Sequence, residues 1–310
     1  MNGVKAGIIG IGNMGSAHLR MITGGNIPDM TVTAVCDIDT KKLNAARNTY
    51  PALSVFEDYT DLLKNSDTNA VIIAVPHPLH AKIAIEAFKY GKHVLVEKPL
   101  DITVSAAEDL CAAAEKSGKV FAIMFNQRTN GLFRKAREIV KSGELGEIKR
   151  SVWIITNWYR TQSYYDSGSW RATWAGEGGG VLLNQAPHNL DIWQWICGKP
   201  SAVTAFCSVG KFHNIEVEDE ATIYAEYENG ATGVFITSTG DCPGTNRLEI
   251  TGTRGKTVLE NGILKLWKLN EDERDICKNA TEGFVSPETE YSEFSAEREE
   301  AHAGILKNFA

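Results

Sequence analysis

Ala6-Gly7-Ile8-Ile9-Gly10-Ile11-Gly12-Asn13-Met14-Gly15-Ser16-Ala17-His18 decides how the rest of the chain is read. A short apolar run opens into Gly10-x-Gly12-x-x-Gly15 and then into Leu19-Arg20-Met21-Ile22, which reads as strand, tight turn and helix. That is the context in which such glycines cradle a dinucleotide. Gly10 permits the sharp turn, Gly12 lets bare backbone approach a pyrophosphate, and Gly15 lets helix and strand pack closely. Ile11, Asn13 and Met14 lie where amide hydrogens and the positive end of the helix dipole meet the phosphates.

The supporting feature lies downstream. Thr31-Val32-Thr33-Ala34-Val35-Cys36-Asp37 is a β-branched run that ends in an acid 22 positions beyond Gly15. A carboxylate at the end of the second strand accepts the ribose hydroxyls of NAD and repels the extra phosphate of NADP. The plainer alternative is that Asp37 opens the next turn, or that Asp39 caps the next helix.

At 310 residues and 43% apolar content the chain has enough material for two domains and two cores. A net charge of −7 and no Lys/Arg run argue against a nucleic-acid or anionic-membrane partner. No apolar stretch approaches the roughly 18 residues of a membrane span. The chain enters its first strand within about four residues, leaving no room for a secretory leader, so a cytoplasmic location is expected. The six cysteines lie far apart without a C-x-x-C pair, so neither a metal site nor a disulfide framework is expected, and most read as buried thiols.

Strands and helices alternate up to residue 124. A helix from Asp39 stops before Pro51, short elements follow at Val55-Phe56 and Tyr59 to Lys64, and Ala70 to Val75 is a continuous apolar run of the kind buried on both faces of a parallel sheet. Leu79 to Tyr90 reads as a helix, His93 to Val96 as a strand running into Glu97-Lys98-Pro99, Ser105-x-x-Glu108 as a capping box, and Val120 to Met124 as a strand. This order implies a doubly wound parallel sheet with its ligand at the C-terminal strand ends. Gly12, Asp37, Val75-Pro76, Lys98 and Asn126 all fall at or beyond such ends.

From residue 125 the rhythm changes to a helix (Leu132 to Lys141) and alternating strands at Lys149 to Trp158, Ala202 to Val209, Ala221 to Tyr227, Thr232 to Thr237, Arg247 to Thr251, Lys256 to Glu260 and Ile263 to Leu269. The expected domains are 1–124, a dinucleotide-binding unit, and 125–310, a substrate-binding α+β unit with a large, mainly antiparallel sheet. Too few helices accompany this sheet to cover both faces, so a homodimer or homotetramer built on the open face is expected. The pattern over 297–310 reads as a helix that stops without a cap, and the chain is expected to continue beyond Ala310.

One more stretch completes the set: Gly178-Gly179-Gly180-Val181-Leu182-Leu183-Asn184-Gln185-Ala186-Pro187-His188-Asn189-Leu190-Asp191. With the glycine turn, Asp37, Val75-Pro76 and Glu97-Lys98-Pro99, it gives the chain a resemblance over essentially its whole length to the Gfo/Idh/MocA oxidoreductases. These pair a Rossmann domain with an antiparallel α+β domain. The resemblance implies NAD as cofactor and a sugar, sugar derivative or polyol as small-molecule substrate. Residue by residue, it implies that Lys98 and His188 are catalytic. The family's acid position is filled by Asn184, which exchanges hydrogen bonds but takes no proton. Spaced i and i+4, Asn184 and His188 would share one helix face. His77 and His80 occupy places the family uses around the cofactor, as does His18; Glu97 precedes the lysine. Asp191 reads as a helix-dipole acid.

Six of the 17 residues from Trp158 to Trp174 are Trp or Tyr, against 9% aromatic content overall, and the enrichment calls for a cause. Aromatic faces suit the C–H side of a sugar or cyclitol, and Trp158, Tyr159, Arg160, Gln162 and Arg171 are the candidate substrate residues beside Lys98, Asn184 and His188. An interface would favour the same residue types. Two other functional classes fit the motifs: a glycosidase that retains NAD and acts by transient oxidation and elimination, and a non-catalytic dinucleotide-binding sensor. Retention of both Lys98 and His188 speaks against the sensor.

Overall fold

In the computed structural model, which describes residues 3–295 and 300–310, the chain clusters into two compact units. The first comprises Met1–Asn126, Ala175–Gly178 and Glu300–Ala310; the second comprises Gln127–Trp174 and Gly179–Glu299.

The first unit runs β1 (Val4–Ile9), α1 (Asn13–Thr23), β2 (Met30–Cys36), α2 (Thr40–Thr49), β3 (Ser54–Phe56), α3 (Tyr59–Asn65), β4 (Ala70–Ile73), α4 (His80–Lys89), β5 (His93–Val96), α5 (Val104–Ser117) and β6 (Phe121–Ile123). Its six strands are all parallel, in the order β3-β2-β1-β4-β5-β6, so the order reverses between β1 and β4. The apolar run of β4 is buried on both faces because separate cores lie on either side of the sheet: Ile72 packs with Ile8 and Leu95, whereas Val71 and Ile73 pack with Ile9 and Val96. Asp39 and Asp58 cap α2 and α3 by accepting from the Lys41 and Thr60 amides, each cap worth about 1 kcal/mol. The expected capping box at Ser105 is not used. Thr103 is the cap of α5, because it is already extended and its hydroxyl accepts from the Ala106 amide.

The second unit runs α6 (Gly131–Lys141), β7 (Ile148–Ile155), α7 (Gln162–Asp166), α8 (Pro187–Cys197), β8 (Ala202–Val209), β9 (Glu218–Glu226), β10 (Thr232–Ser238), β11 (Asn246–Gly252), β12 (Gly255–Glu260), β13 (Ile263–Leu269), α9 (Glu273–Asn279) and β14 (Thr289–Ser295). The eight strands lie in the order β14-β13-β12-β11-β7-β10-β9-β8, with β7 and β10 parallel and every other pair antiparallel. One face carries Trp153, Phe235, Leu248 and Leu264 and is covered by Phe133, Ile139, Ile192 and Trp193 of α6 and α8. On the other face, register places Val152, Val234, Tyr224 and Thr204 in one cross-strand row and Ile154, Ile236, Thr222 and Phe206 in the next.

After β14 comes α10 (Ala301–Phe309), whose Leu306 and Phe309 enter the core of the first unit. Residues 297–299 of the helix expected over 297–310 lie outside the described residues. The expectation that most cysteines are buried fails: Cys36 is buried and Cys197 half-buried, but Cys111, Cys207, Cys242 and Cys277 are exposed. Cys207 illustrates why, since it lies on the edge strand β8, most of which is exposed.

Candidate functional site

The groups of the first unit gather at the C-terminal ends of its strands. After β1 the chain turns through Gly10 at φ +87°, where a Cβ would stand 2.5 Å from the Ala74 carbonyl oxygen; a Cβ on Gly15 would stand 1.8 Å from that of Gly10. Only glycine allows this three-way approach of turn, helix and β4. Gly12 is the opposite case: a Cβ there would meet nothing within 4 Å. It is the N-cap residue of α1, and no side chain caps the amides of the helix's first turn, around Asn13 and Met14. This bare cradle at the start of a helix fits the pyrophosphate of a dinucleotide.

Asp37 lies immediately beyond β2. Its Oδ2 accepts the Ile11 amide at 2.9 Å and lies 3.5 Å from Lys42 Nζ, and its Oδ1 accepts the Asp39 amide at 2.9 Å. Both alternatives left open for this residue are therefore realised together: Asp37 shapes the following turn while Asp39 caps α2.

Val75 and Pro76 follow β4 at the point where the strand order reverses, the usual ligand crevice of an open α/β sheet. Nδ1 of His77, in the short 3₁₀ turn that comes next, lies 3.3 Å from the Glu177 carbonyl oxygen. Both nitrogens of buried His80 face carbonyls, Nδ1 at 2.6 Å from Pro99 O and Nε2 at 2.8 Å from Val75 O. Burial pushes its pKa down, although the two carbonyls and the charges of Glu97 and Asp101 favour the proton. His80 thus ties the end of β4 to the turn after β5, and its ring is spent on the fold.

That turn is Glu97-Lys98-Pro99. His18 Nε2 lies 2.7 Å from Glu97 Oε1, with both side chains nearly inaccessible. Burial alone would raise the Glu97 pKa, but the hydrogen bond from His18 and the charges of His18, His302 and Lys98 lower it. His302, on α10, meets His18 edge-on at 5.8 Å and lies 3.3 Å from Asn126 Nδ2. His18 is therefore a partner of Glu97.

In the second unit the glycine-rich loop is moulded by Glu218, which the sequence did not single out. Its carboxylate accepts the amides of Gly180 (2.9 Å) and Leu182 (3.0 Å), and a Cβ on Gly180 would lie 1.8 Å from the Glu218 carbonyl oxygen. These bonds hold 181–186 as successive turns, and α8 begins only at Pro187, whose ring suits the first helical position. Asn184 therefore lies in the turn before α8 and His188 in its first turn, and the two do not share one helix face. Asp191 pairs bidentately with Arg128 at 2.6 and 2.7 Å, a structural anchor for α8 that is stronger than a dipole effect.

The aromatic segment divides by role. The Trp158 indole donates to Asn189 Oδ1 at 3.2 Å, and Gln162 bonds Asp166 and both backbone groups of Asn214, so these two side chains hold the loop's shape. Tyr159 is exposed. Arg171 Nη1 donates to the Tyr164 hydroxyl at 3.0 Å, and Asn184 Nδ2 lies 3.4 Å from the same oxygen. Tyr164 was flagged only as part of an aromatic-rich stretch, because nothing local marks it out from Tyr165 beside it.

A glycine cradle, a strand-end acid and a lysine turn at one edge of a doubly wound sheet define a dinucleotide-dependent oxidoreductase fold. Residues 4–125 match the family model described as oxidoreductase family, NAD-binding Rossmann fold, and residues 133–258 match the GFO/IDH/MocA C-terminal domain. The chain belongs to the Gfo/Idh/MocA family and binds NAD(H). It is similar to YrbE, an uncharacterized oxidoreductase of Bacillus subtilis, with 29% identity over 83% of this chain and 74% of that one. It is 36% identical to the inositol 2-dehydrogenase of Salmonella typhimurium over 46% of this chain and 43% of that one. The WlbA dehydrogenase of Chromobacterium violaceum, solved with NADH and UDP-GlcNAcA, superposes with a TM-score of 0.81 at 26% identity, covering 90% of this chain and 81% of that one.

Proposed function

We propose that the protein transfers a hydride between NAD and a hydroxyl-bearing carbon of a sugar, sugar derivative or polyol. The observation that carries this reading is the turn after β5. Glu97 is held by His18 and Pro99 by His80, so Lys98 between them leaves the sheet at the same C-terminal edge as the glycine cradle. The nicotinamide, when bound, accepts or returns the hydride. Oxidising a carbinol also needs its O–H proton removed and the charge on its oxygen stabilised. Lys98 supplies a fixed positive charge for alkoxide character, His188 takes the hydroxyl proton, and Asn184 orients the hydroxyl. Ile11, Asn13 and Met14 offer amides to the pyrophosphate, Asp37 meets the ribose, and Val75, Pro76, His77 and Asn126 border the ring. Arg160 and Arg171 read the substrate. The similarity to an inositol 2-dehydrogenase and to a dehydrogenase solved with NADH and UDP-GlcNAcA supports the substrate class.

NADH absorbance with a panel of sugars, cyclitols and sugar acids tests the reading. His188→Ala should cost about 10² to 10⁴ in kcat, the scale of a positioned general base, and Lys98→Met should be as severe while NAD still binds. Full turnover in His188→Ala would move the base to Lys98. Asn184→Asp should lower turnover if the amide is matched to the substrate; a large gain would mean that the native site lacks its acid.

We infer further that copies of the chain associate through the open face of the eight-stranded sheet, giving a homodimer or homotetramer. The row through Val152 continues by Val234 to Tyr224, the row through Ile154 continues by Ile236 and Thr222 to Phe206, and Phe206 is 76% exposed. Monomers rarely leave such a contiguous patch uncovered. No helix among the described residues is long and apolar enough to cross a membrane, and we place the protein in the cytoplasm.

A further inference from the structure

Asp219, the second residue of β9, is wholly buried, and its carboxylate gathers the loop that joins β8 to β9. Oδ1 accepts the Lys211 amide at 3.0 Å, and Oδ2 accepts the amides of Phe212 and His213 at 2.8 and 3.1 Å. The same Oδ2 lies 3.1 Å from His213 Nδ1, and the far nitrogen of that ring, Nε2, lies 3.0 Å from the carbonyl oxygen of Arg160. Tyr165 packs on the imidazole at 4.9 Å between centroids and anchors its own hydroxyl on Thr239 Oγ1 at 2.9 Å. A carbonyl oxygen has no hydrogen to give, so the hydrogen in the contact with Arg160 is the one on Nε2. Both partners of the ring are acceptors, and the protonated ring offers a donor to each.

The backbone of Arg160 is thereby gripped on both sides. Its N–H donates to the Thr239 carbonyl at 2.9 Å, its C=O accepts from His213, and the Thr239 amide donates in turn to the Asp219 carbonyl at 2.9 Å. Two residues further on, Gln162 bonds both backbone groups of Asn214, next to His213. With both peptide groups of Arg160 bound, its φ and ψ are fixed, and so is the direction in which its side chain leaves the loop. A buried carboxylate and imidazolium add little net stability, because the cost of taking both out of water offsets their attraction. What this pair supplies is a set direction for Nε2.

We propose that His213 is a positioning residue for the substrate: braced by Asp219, it holds the Arg160 carbonyl and so aims the Arg160 side chain. This rests on the reading of Arg160 as a substrate residue of a sugar or polyol dehydrogenase.

Two substitutions separate the two ring nitrogens. His213→Asn keeps a donor where Nδ1 faces Asp219 but is too short to reach Arg160, whereas His213→Gln carries its amide nitrogen to the place of Nε2. Trypsin cuts after arginine, and the bond after Arg160 contains the carbonyl that His213 holds. In the full protein, cleavage between Arg160 and Thr161, followed by mass spectrometry, should quicken about 3- to 10-fold in His213→Asn, the scale of one hydrogen bond. It should stay near the wild-type rate in His213→Gln, and cleavage after the exposed Lys278 should be the same in all three proteins. An NADH assay with saturating NAD, run on myo-inositol, D-glucose, D-glucuronate and D-gluconate, supplies the functional readout. For whichever compound turns over fastest, KM should rise by the same factor in His213→Asn and return in His213→Gln, with kcat and the KM for NAD unchanged. Equal cleavage after Arg160 in all three proteins, or His213→Gln as impaired as His213→Asn, would overturn the clamp. Faster cleavage after Lys278 as well, or a fall in kcat with KM unchanged, would make His213 a support of the whole unit and overturn its positioning role. Faster cleavage after Arg160 with normal kinetics would overturn the proposal and leave the dehydrogenase reading standing. No NADH from any compound would overturn the dehydrogenase reading on which the proposal rests, while the cleavage rates still show whether His213 holds Arg160.

Discussion

His18 Nε2 and Glu97 Oε1 lie 2.7 Å apart although 79 residues separate them in the chain. This hydrogen bond between α1 and the end of β5 links the helix that opens the glycine cradle to the turn that carries Lys98. His18→Ala would leave the Glu97 carboxylate buried without this partner, a loss of about 3 kcal/mol. Thermal unfolding should show a lowered midpoint and kinetics a reduced kcat, with His18→Gln, which keeps a donor, recovering part of both. An unchanged midpoint in His18→Ala would mean that the bond does not support the turn.

Asp37 makes cofactor choice testable. Oδ2 accepts the Ile11 amide, so this carboxylate shapes the cradle, and the proposed function gives it the ribose as well. Asp37→Ser should weaken NAD binding by about 10- to 100-fold, the worth of charged hydrogen bonds, and narrow the gap to NADP. Equal affinity of the wild-type protein for both cofactors would refute the ribose role.

The buried groups of the first unit set a direction for pH dependence. Burial lowers the pKa of His80 from 6.5 against the pull of its carbonyl partners, and burial is also the largest cause of the lowering at His302. The Glu97 pKa is lowered from 4.5 despite burial, through His18 and the nearby positive charges. A folded pKa below the unfolded one means stability that is complete above the unfolded value and lost as pH falls through the folded one. The unfolding midpoint should therefore hold near pH 8 and fall below about 6.5 as the histidines charge, then again below about 4.5 as Glu97 protonates. In His80→Gln the first fall should be shallower; a midpoint that rises on acidification would contradict the assignment.

The sheet face gives a prediction about assembly. Ile236→Asp and Phe206→Asp place a charge in the row shared by β7, β10 and β8, and light scattering should show dissociation while each unit stays folded. A wild-type monomer at micromolar concentration would remove the idea.

Much of the fold could be read locally. The β13 strand Ile263–Leu269 and the β8 strand Ala202–Val209 lie where the alternation places them, and the buried run of β4 declares a parallel sheet. The misses have physical causes. In β14 only Phe294 is withdrawn from solvent at all, so burial leaves no two-residue period in Thr289–Ser295, and backbone pairing with β13 makes it a strand. Asn184 was placed on a helix because the spacing to His188 suits one, but Glu218, 34 residues further on, draws the preceding amides into turns. From the sequence, Gln162 reads as a substrate residue and Tyr164 only as one aromatic in a rich stretch. Only the tertiary partners show that one amide is consumed by Asn214 and that one phenol gathers three donors.

The last helix gives the molecule an order in time. Leu306 and Phe309 of α10 belong to the same core as Ile8, Val35 and Leu95, so these strands wait for residues translated after the second unit. A nascent chain exposes that apolar side of its parallel sheet while the whole second unit emerges, and at about 5–20 residues per second the wait is on the order of ten seconds or more. Until then the second unit, uninterrupted apart from the short 175–178 excursion, has its sheet and its covering helices complete. The first unit is begun before the second and completed after it.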